Sequence, residues 1–181
     1  MKNLLVWVLI AVGLVVGPRI ADACGVWQMS DVEKKLDIAW MIDAGSITNP
    51  KTKSKAGHLG LAESKTGLYV FRNDKPLYDL AGTKLRKYGK PVATFDDTSV
   101  SFGKRVYTFT FDEPGDLHGM PSWKVTVKRG DTVVLESKQA SALCAFAAAQ
   151  AKTGSPLPEA DQQAEIRRRM MFYLAWREVG F

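Results

Sequence analysis

The chain of 181 residues carries a formal net charge of +6 at pH 7, with two cysteines and two histidines. Its length suits a single domain with its own core. A basic balance would fit a nucleic-acid ligand, but no recognised binding motif accompanies it and the N-terminus directs the chain away from nucleic acid, which excludes that class.

Residues 1–23 read as a cleavable signal peptide. Lys2 supplies the positive charge, residues 4–16 form an uncharged apolar run, Gly17-Pro18 breaks it, and Ala21-Asp22-Ala23 offers an A-x-A cleavage site. The run is shorter than the ~20 apolar residues a spanning helix requires. Processing would leave residues 24–181, periplasmic or secreted, with no transmembrane span. Cys24 would then be the first residue. Acylation there would make a membrane-anchored lipoprotein, although Ala21 stands where a lipoprotein box favours Leu. The competing use of the thiol is a disulfide to Cys144, the simplest reading of two cysteines in an exported chain.

The segment after Trp27 supports two patterns. Ser30-x-x-Glu33 resembles a capping box, with Val32, Leu36 and Trp40 at helical spacing. Yet Leu36, Ile38, Trp40 and Ile42 alternate with Asp37, Ala39, Met41 and Asp43, and their β-branched and aromatic content favours a strand. Residues 48–57 are polar and basic, which predicts an exposed loop. Strands are predicted at 67–72 and 76–80 around the turn Asn73-Asp74-Lys75, then at 105–111, where Tyr107, Phe109 and Phe111 share one face. Further strands follow at 123–128 and 132–136 around Arg129-Gly130-Asp131, with weaker ones at 58–63, 91–95 and 99–102. Turn signals every ~8–12 residues predict a meander that curls into a sandwich or partial barrel.

Helix takes over at the end. Residues 139–150 are rich in alanine, and residues 159–178 open with Glu159 and Asp161 in the favourable acidic first turn. The predicted class is therefore α+β: a curled antiparallel sheet followed by two C-terminal helices. Residues 24–154 would form the β-rich core with the first helix, and residues 155–181 a helix packed on that core or on a partner.

Few residues suggest chemistry. Asp112, Glu113, Asp116 and His118 gather carboxylates and an imidazole on one Gly/Pro-containing connection, where a small hydrolase or metal-binding protein would place acid–base groups or a divalent cation. A hydrated hairpin loop explains the same composition, and the spacing matches no EF-hand or hydrolase signature. His58 has no third ligand type near it to suggest zinc. No nucleophile elbow, C-x-x-C pair or phosphate-cradling loop occurs, so no cofactor or metal is implied.

Three surfaces carry the binding alternatives. From Lys51 to Lys90 the basic residues Lys51, Lys53, Lys55, Lys65, Arg72, Lys75, Lys84, Arg86, Lys87 and Lys90 outweigh Glu63, Asp74 and Asp79, which fits an anionic envelope component or simply a well-solvated surface. Arg167-Arg168-Arg169 point in three directions on a helix and form no patch. Residues 170–176 are apolar nearly all round. Ile166, Met170, Tyr173 and Leu174 make one stripe, while Met171, Phe172 and Trp176 lie opposite. That helix either fills a groove of its own domain or offers Phe172 and Trp176 to a partner protein or a second copy. The sequence thus reads as an exported binding, adaptor or structural protein, with the 112–118 loop as the enzymatic or metal-binding alternative.

The cysteine reading is tested by mass. Non-reducing analysis of the exported form should show two hydrogens fewer than the reduced form. A bridge closing a loop of about 120 residues contributes on the order of 4–5 kcal/mol, so Cys144→Ser should cost roughly 2–5 kcal/mol. Two free thiols, or a lipid on Cys24, would contradict it.

Overall fold

The structure, a computed structural model, describes residues 27–40, 44–48, 51–52, 55–64, 67–72, 75–116, 121–142, 150 and 152–180. The signal segment, Cys24, Cys144 and His118 lie outside these residues. The strands are β1 (Trp27–Asp31), β2 (Leu36–Trp40), β3 (Ala44–Thr48), β4 (Lys55–Ser64), β5 (Gly67–Arg72), β6 (Lys75–Ala81), β7 (Lys84–Lys87), β8 (Lys90–Phe95), β9 (Ser99–Phe102), β10 (Arg105–Phe111), β11 (Gly115–Asp116), β12 (Pro121–Arg129) and β13 (Thr132–Ala140). The helix described in full after them is α1 (Glu159–Val179).

Strands β1 to β10 pair in sequence order as an antiparallel meander, and β1 also pairs with β13, which pairs with β12. The ring closes where β10 meets β12 through Thr108↔Lys128, Phe109↔Val127, Thr110↔Thr126 and Phe111↔Val125. Every strand except β11 belongs to this ring, so the curled sheet is a closed barrel with no free edge in the ring. Period-2 alternation explains its two surfaces. The pairs Met29↔Ile38 and Ile38↔Ile47 put three buried side chains inside, and Tyr107↔Val100 and Phe109↔Val127 put four more there. The outward set, Lys84↔Thr94↔Ser101 and Thr108↔Lys128, is polar. No helix among the described residues is long and apolar enough to cross a membrane.

Helix α1 runs inside the barrel. Ile166 and the whole run Met170–Ala175 are buried, with Phe172, Tyr173 and Leu174 at 0 % exposure on different sides of the helix. Its contacts reach strands far apart around the ring: Asp31 on β1, Tyr78 on β6, and Tyr107 on β10. A barrel of ~8 strands is filled by side chains alone, and one of about 11 holds a central helix. This larger ring has the room, which explains why an apolar stripe on one face of α1 would not be enough. The helix ends at the pole where β1, β7 and β12 end and β10 begins, because Asp31, Lys87, Glu33 and Arg105 all contact its last turn. We call this the exit pole. The chain enters α1 at the opposite, entry pole.

Of the two expected C-terminal helices the structure describes one in full, and it moves the start of the other beyond residue 140. Gln139 and Ala140 complete β13, where Ala140 pairs with the buried Trp123, and that cross-strand packing outweighs alanine's preference for helix. Residues 143–149 and 151 lie outside the described residues, Gln150, Lys152 and Thr153 are helical, and α1 is the helix described in full. The polar stretch expected as a loop is shorter than 48–57, since Lys55–Gly57 begin β4. The ambiguous segment resolves as strand: residues 32–35 turn, and Leu36–Trp40 pair with both neighbours.

Core packing predicts a graded mutation series. Phe172→Ala should lower unfolding free energy by ~3–5 kcal/mol and Leu174→Ala by ~2–5 kcal/mol in denaturant melts. The half-buried Trp176 should cost less when truncated. A Phe172→Ala protein that melts like its parent would contradict a helix enclosed by the barrel.

Candidate functional site

The densest group of ionisable side chains lies at the exit pole, where α1 leaves the barrel. Asp31 ends β1 at 1 % exposure. Its Oδ1 accepts the Lys34 amide at 2.8 Å, an Asx-type turn that explains why the segment after Ser30 bends here rather than starting a helix. Its Oδ2 accepts the Tyr173 hydroxyl at 2.8 Å and Arg177 Nε at 2.7 Å. The Arg177 side chain is only 4 % exposed. Its two remaining nitrogens donate to Glu33 and to Glu178, and Nη1 also lies 3.3 Å from the Tyr107 hydroxyl. Tyr107 donates to Glu178 Oε1 at 2.6 Å. Arg105 forms an ion pair with Glu178 Oε2, which has no aligned hydrogen bond, and Arg129 Nη2 reaches Glu33 at 2.7 Å.

Arg105, Arg129 and Arg177 therefore face Asp31, Glu33 and Glu178, and the charges cancel. Burial disfavours the Arg177 cation, but the Asp31 and Glu33 carboxylates outweigh it and raise its pKa. Burial also works against the Glu178 anion, yet Tyr107, Arg105 and Arg177 hold its carboxyl below the usual range. Burial, then the adjacent Asp31 carboxylate, pushes the Tyr173 phenol up, and burial with Glu178 does the same to Tyr107. These shifts keep Arg177 and Glu178 charged and the Tyr107 and Tyr173 phenols protonated at neutral pH. The arrangement is a clamp of mutually paired charges and hydroxyls.

The same pole satisfies the carbonyls at the end of α1. Tyr78 Oη donates to Ala175 O at 3.3 Å and also to Gly180 O. Lys87 Nζ donates to Gly180 O at 2.8 Å, and Lys34 Nζ to Arg177 O at 3.0 Å. Cations at a helix C-terminus also complement its dipole. Gly180, at φ +71°, turns the chain so that its amide bonds back to Trp176 O.

The β7–β8 turn beside this clamp is unusual. Tyr88 sits at φ +49° before Gly89 at φ +76°, a primed two-residue hairpin turn in which Asn or Gly is the ordinary first residue. An aromatic side chain in the left-handed region costs on the order of 1 kcal/mol, and this ring is 59 % exposed.

The residues singled out from sequence lie elsewhere. Asp112, Glu113 and Asp116 are exposed at the entry pole, Asp112 with Lys124 at 3.7 Å, and His118 lies outside the described residues. Among the described residues no three His, Cys, Asp or Glu side chains are grouped to hold a metal ion. Phe172 is enclosed by its own chain, while Trp176 lies at the exit-pole rim, 5.6 Å from Tyr173 and 5.6 Å from the Lys34 ammonium. The barrel divides the basic stretch: Arg86 pairs with Asp79, Lys87 turns inward, and Lys84 and Lys90 sit at opposite poles. Arg169 pairs with Glu165 as the helical spacing predicts, and Arg167 stacks 5.4 Å from Phe111. The clamp was not foreseen, because Asp31 and Arg177 are 146 residues apart and neither stands in a motif. No protein-family model, curated protein or solved structure matches this chain.

Removing one partner from this buried network leaves the other charge uncompensated. Asp31→Asn or Arg177→Met should cost ~3–5 kcal/mol. At alkaline pH, Tyr78, Tyr107 and Tyr173 all have folded pKa values above their ordinary 10.0. The unfolded chain therefore loses those protons first, and stability is full below pH 10 and falls above it. Glu178 works in the opposite direction: its contribution is full above 4.5 and is lost as pH falls through the lowered folded value. Denaturation midpoints from pH 3 to 11 check both limbs. Stability that rises between pH 10 and 11 would contradict the burial of these phenols.

Proposed function

We propose that this is an exported, non-enzymatic binding or structural protein that works through its outer surface, in a periplasm or outside the cell. The observation that carries this reading is the filled barrel. Barrels that bind small molecules keep part of the lumen open to the ligand. Here the chain's own helix occupies the lumen, and the polar groups around its end are spent on one another. Recognition then falls to the strands' outer faces and the turns at the poles. The signal-peptide pattern of residues 1–23 supports export.

Expression of the whole chain in a bacterial host tests this reading. The extracytoplasmic fraction should contain a protein beginning at Cys24 that sediments with envelope fragments. Retention in the cytosol with residues 1–23 attached would contradict export. Ester, phosphate or glycoside turnover that Asp112→Asn and Glu113→Gln abolish would contradict the non-enzymatic assignment.

A further inference from the structure

Antiparallel topology sorts the turns into two groups, and the two groups differ in charge. Among turns with described residues, the exit pole collects those after β1, β3, β7, β9 and β12. Exposed there are Lys34, Lys35, Lys51, Lys90, Lys104 and Arg105, with Arg129 partly exposed, against Asp37, Asp131 and the partly exposed Glu33. Lys35, Lys90 and Lys104 make no ion pair among the described residues. The entry pole carries Asp96, Asp97, Asp112, Glu113, Asp116, Glu159 and Asp161 against Lys84, Lys124 and Lys152, so its balance is acidic. The Asp96 carboxyl stays ionised, because amides and hydroxyls of Thr98 and Ser99 hold its pKa down. The molecule is thus a basic pole and an acidic pole on one axis.

Exposed apolar side chains follow the same division. The exposed large hydrophobics among the described residues are Val32 at 45 %, Tyr88 at 59 %, Val106 at 45 % and Val179 at 38 %. Val32, Tyr88 and Val179 stand in the exit-pole turns or at the end of α1, and Val106 follows Arg105 on the outer wall just below them. Basic residues interspersed with protruding aliphatic and tyrosine tips have the composition of a surface that enters the headgroup region of an anionic bilayer. A soluble acidic polymer would use the lysines but gives the valines and Tyr88 nothing to bury in.

We infer that the exit pole docks the processed protein on an anionic lipid bilayer, with Lys35, Lys90 and Lys104 at the headgroups, Val32 and Tyr88 in the interface, and the acidic pole facing away. This rests on the export reading for where the bilayer is met, but not for whether the pole binds it. Opposite charge at the two ends fixes the orientation, since the entry pole is repelled by the surface that attracts the exit pole.

The test uses the processed chain 24–181, which contains the whole described barrel and helix, with phosphatidylcholine vesicles made with and without phosphatidylglycerol. Binding should require phosphatidylglycerol and weaken steeply between 0.1 and 1 M salt, as the Debye length falls from ~10 Å to ~3 Å. Each lysine near such a surface contributes about fivefold, so the combined Lys35→Gln, Lys90→Gln, Lys104→Gln variant should lose roughly 100-fold while melting like its parent. Tyr88→Ser should weaken vesicle binding and leave binding to soluble polyglutamate unchanged. Equal binding to neutral vesicles, or a triple variant that binds like the parent, would overturn the inference. Polyglutamate bound as tightly as vesicles, with Tyr88→Ser indifferent in both, would assign the pole to an acidic polymer instead. An exported protein that ignores anionic vesicles leaves the export reading intact, and a protein that binds vesicles but is retained uncleaved leaves the docking surface intact.

Discussion

The Arg177 guanidinium, buried against Asp31 inside one end of a barrel, is the interaction on which the rest of this structure depends. A cation at 4 % exposure is tenable only where carboxylates and hydroxyls replace its water, and here Asp31, Glu33, Glu178 and Tyr107 do so. Such a pair contributes little net stability compared with an apolar pair of similar volume, because desolvation offsets most of the attraction. Its effect is on specificity. A helix shifted by one turn would bury Arg177 without Asp31 and strand Tyr173's hydroxyl, so the clamp sets how far α1 enters the barrel.

That depth has consequences for both ends of the molecule. It delivers the final carbonyls of α1 to Tyr78, Lys87 and Lys34, so that the negative end of the helix dipole meets a ring of donors. It also leaves the acidic first turn, Glu159 and Asp161, at the opposite pole, where the positive end of the dipole is complemented. The charge separation that the docking inference uses is therefore partly the electrostatic requirement of the enclosed helix, extended outward by the turns. The other requirement is met by closure. Without the β10–β12 pairing, both strands would present unpaired edges and α1 would face water along one side.

What was legible in the sequence followed from local pattern. Strand β10 announced itself by strict alternation, and the same side chains that alternate, Tyr107 and Phe109, are those that face the lumen. The apolar circumference of residues 170–176 signalled a helix needing contact on all sides, which an enclosing barrel supplies. Strand β7 gave no signal, since three of its four residues are basic. Leu85 alone packs as a core residue, while Lys87 points inward to helix carbonyls. Asp31 carries no local signal of burial in the sequence. Its burial depends on Tyr173 and Arg177, which arrive only after the whole ring has formed. Closure itself was hidden for the same reason: β1–β13 pairing joins the two ends of the barrel sequence, and no local periodicity encodes it.

Native-state hydrogen exchange on the helix amides tests the central claim most directly. If α1 is enclosed by the ring and clamped by Arg177 and Asp31, amides from Ile166 to Ala175 can exchange only when the barrel opens. Their opening free energy should then equal that of global unfolding and match the slowest amides of β1 and β10. Exchange of the helix at a much lower opening free energy, while those strands stay protected, would show a helix that leaves a standing barrel and would contradict the account.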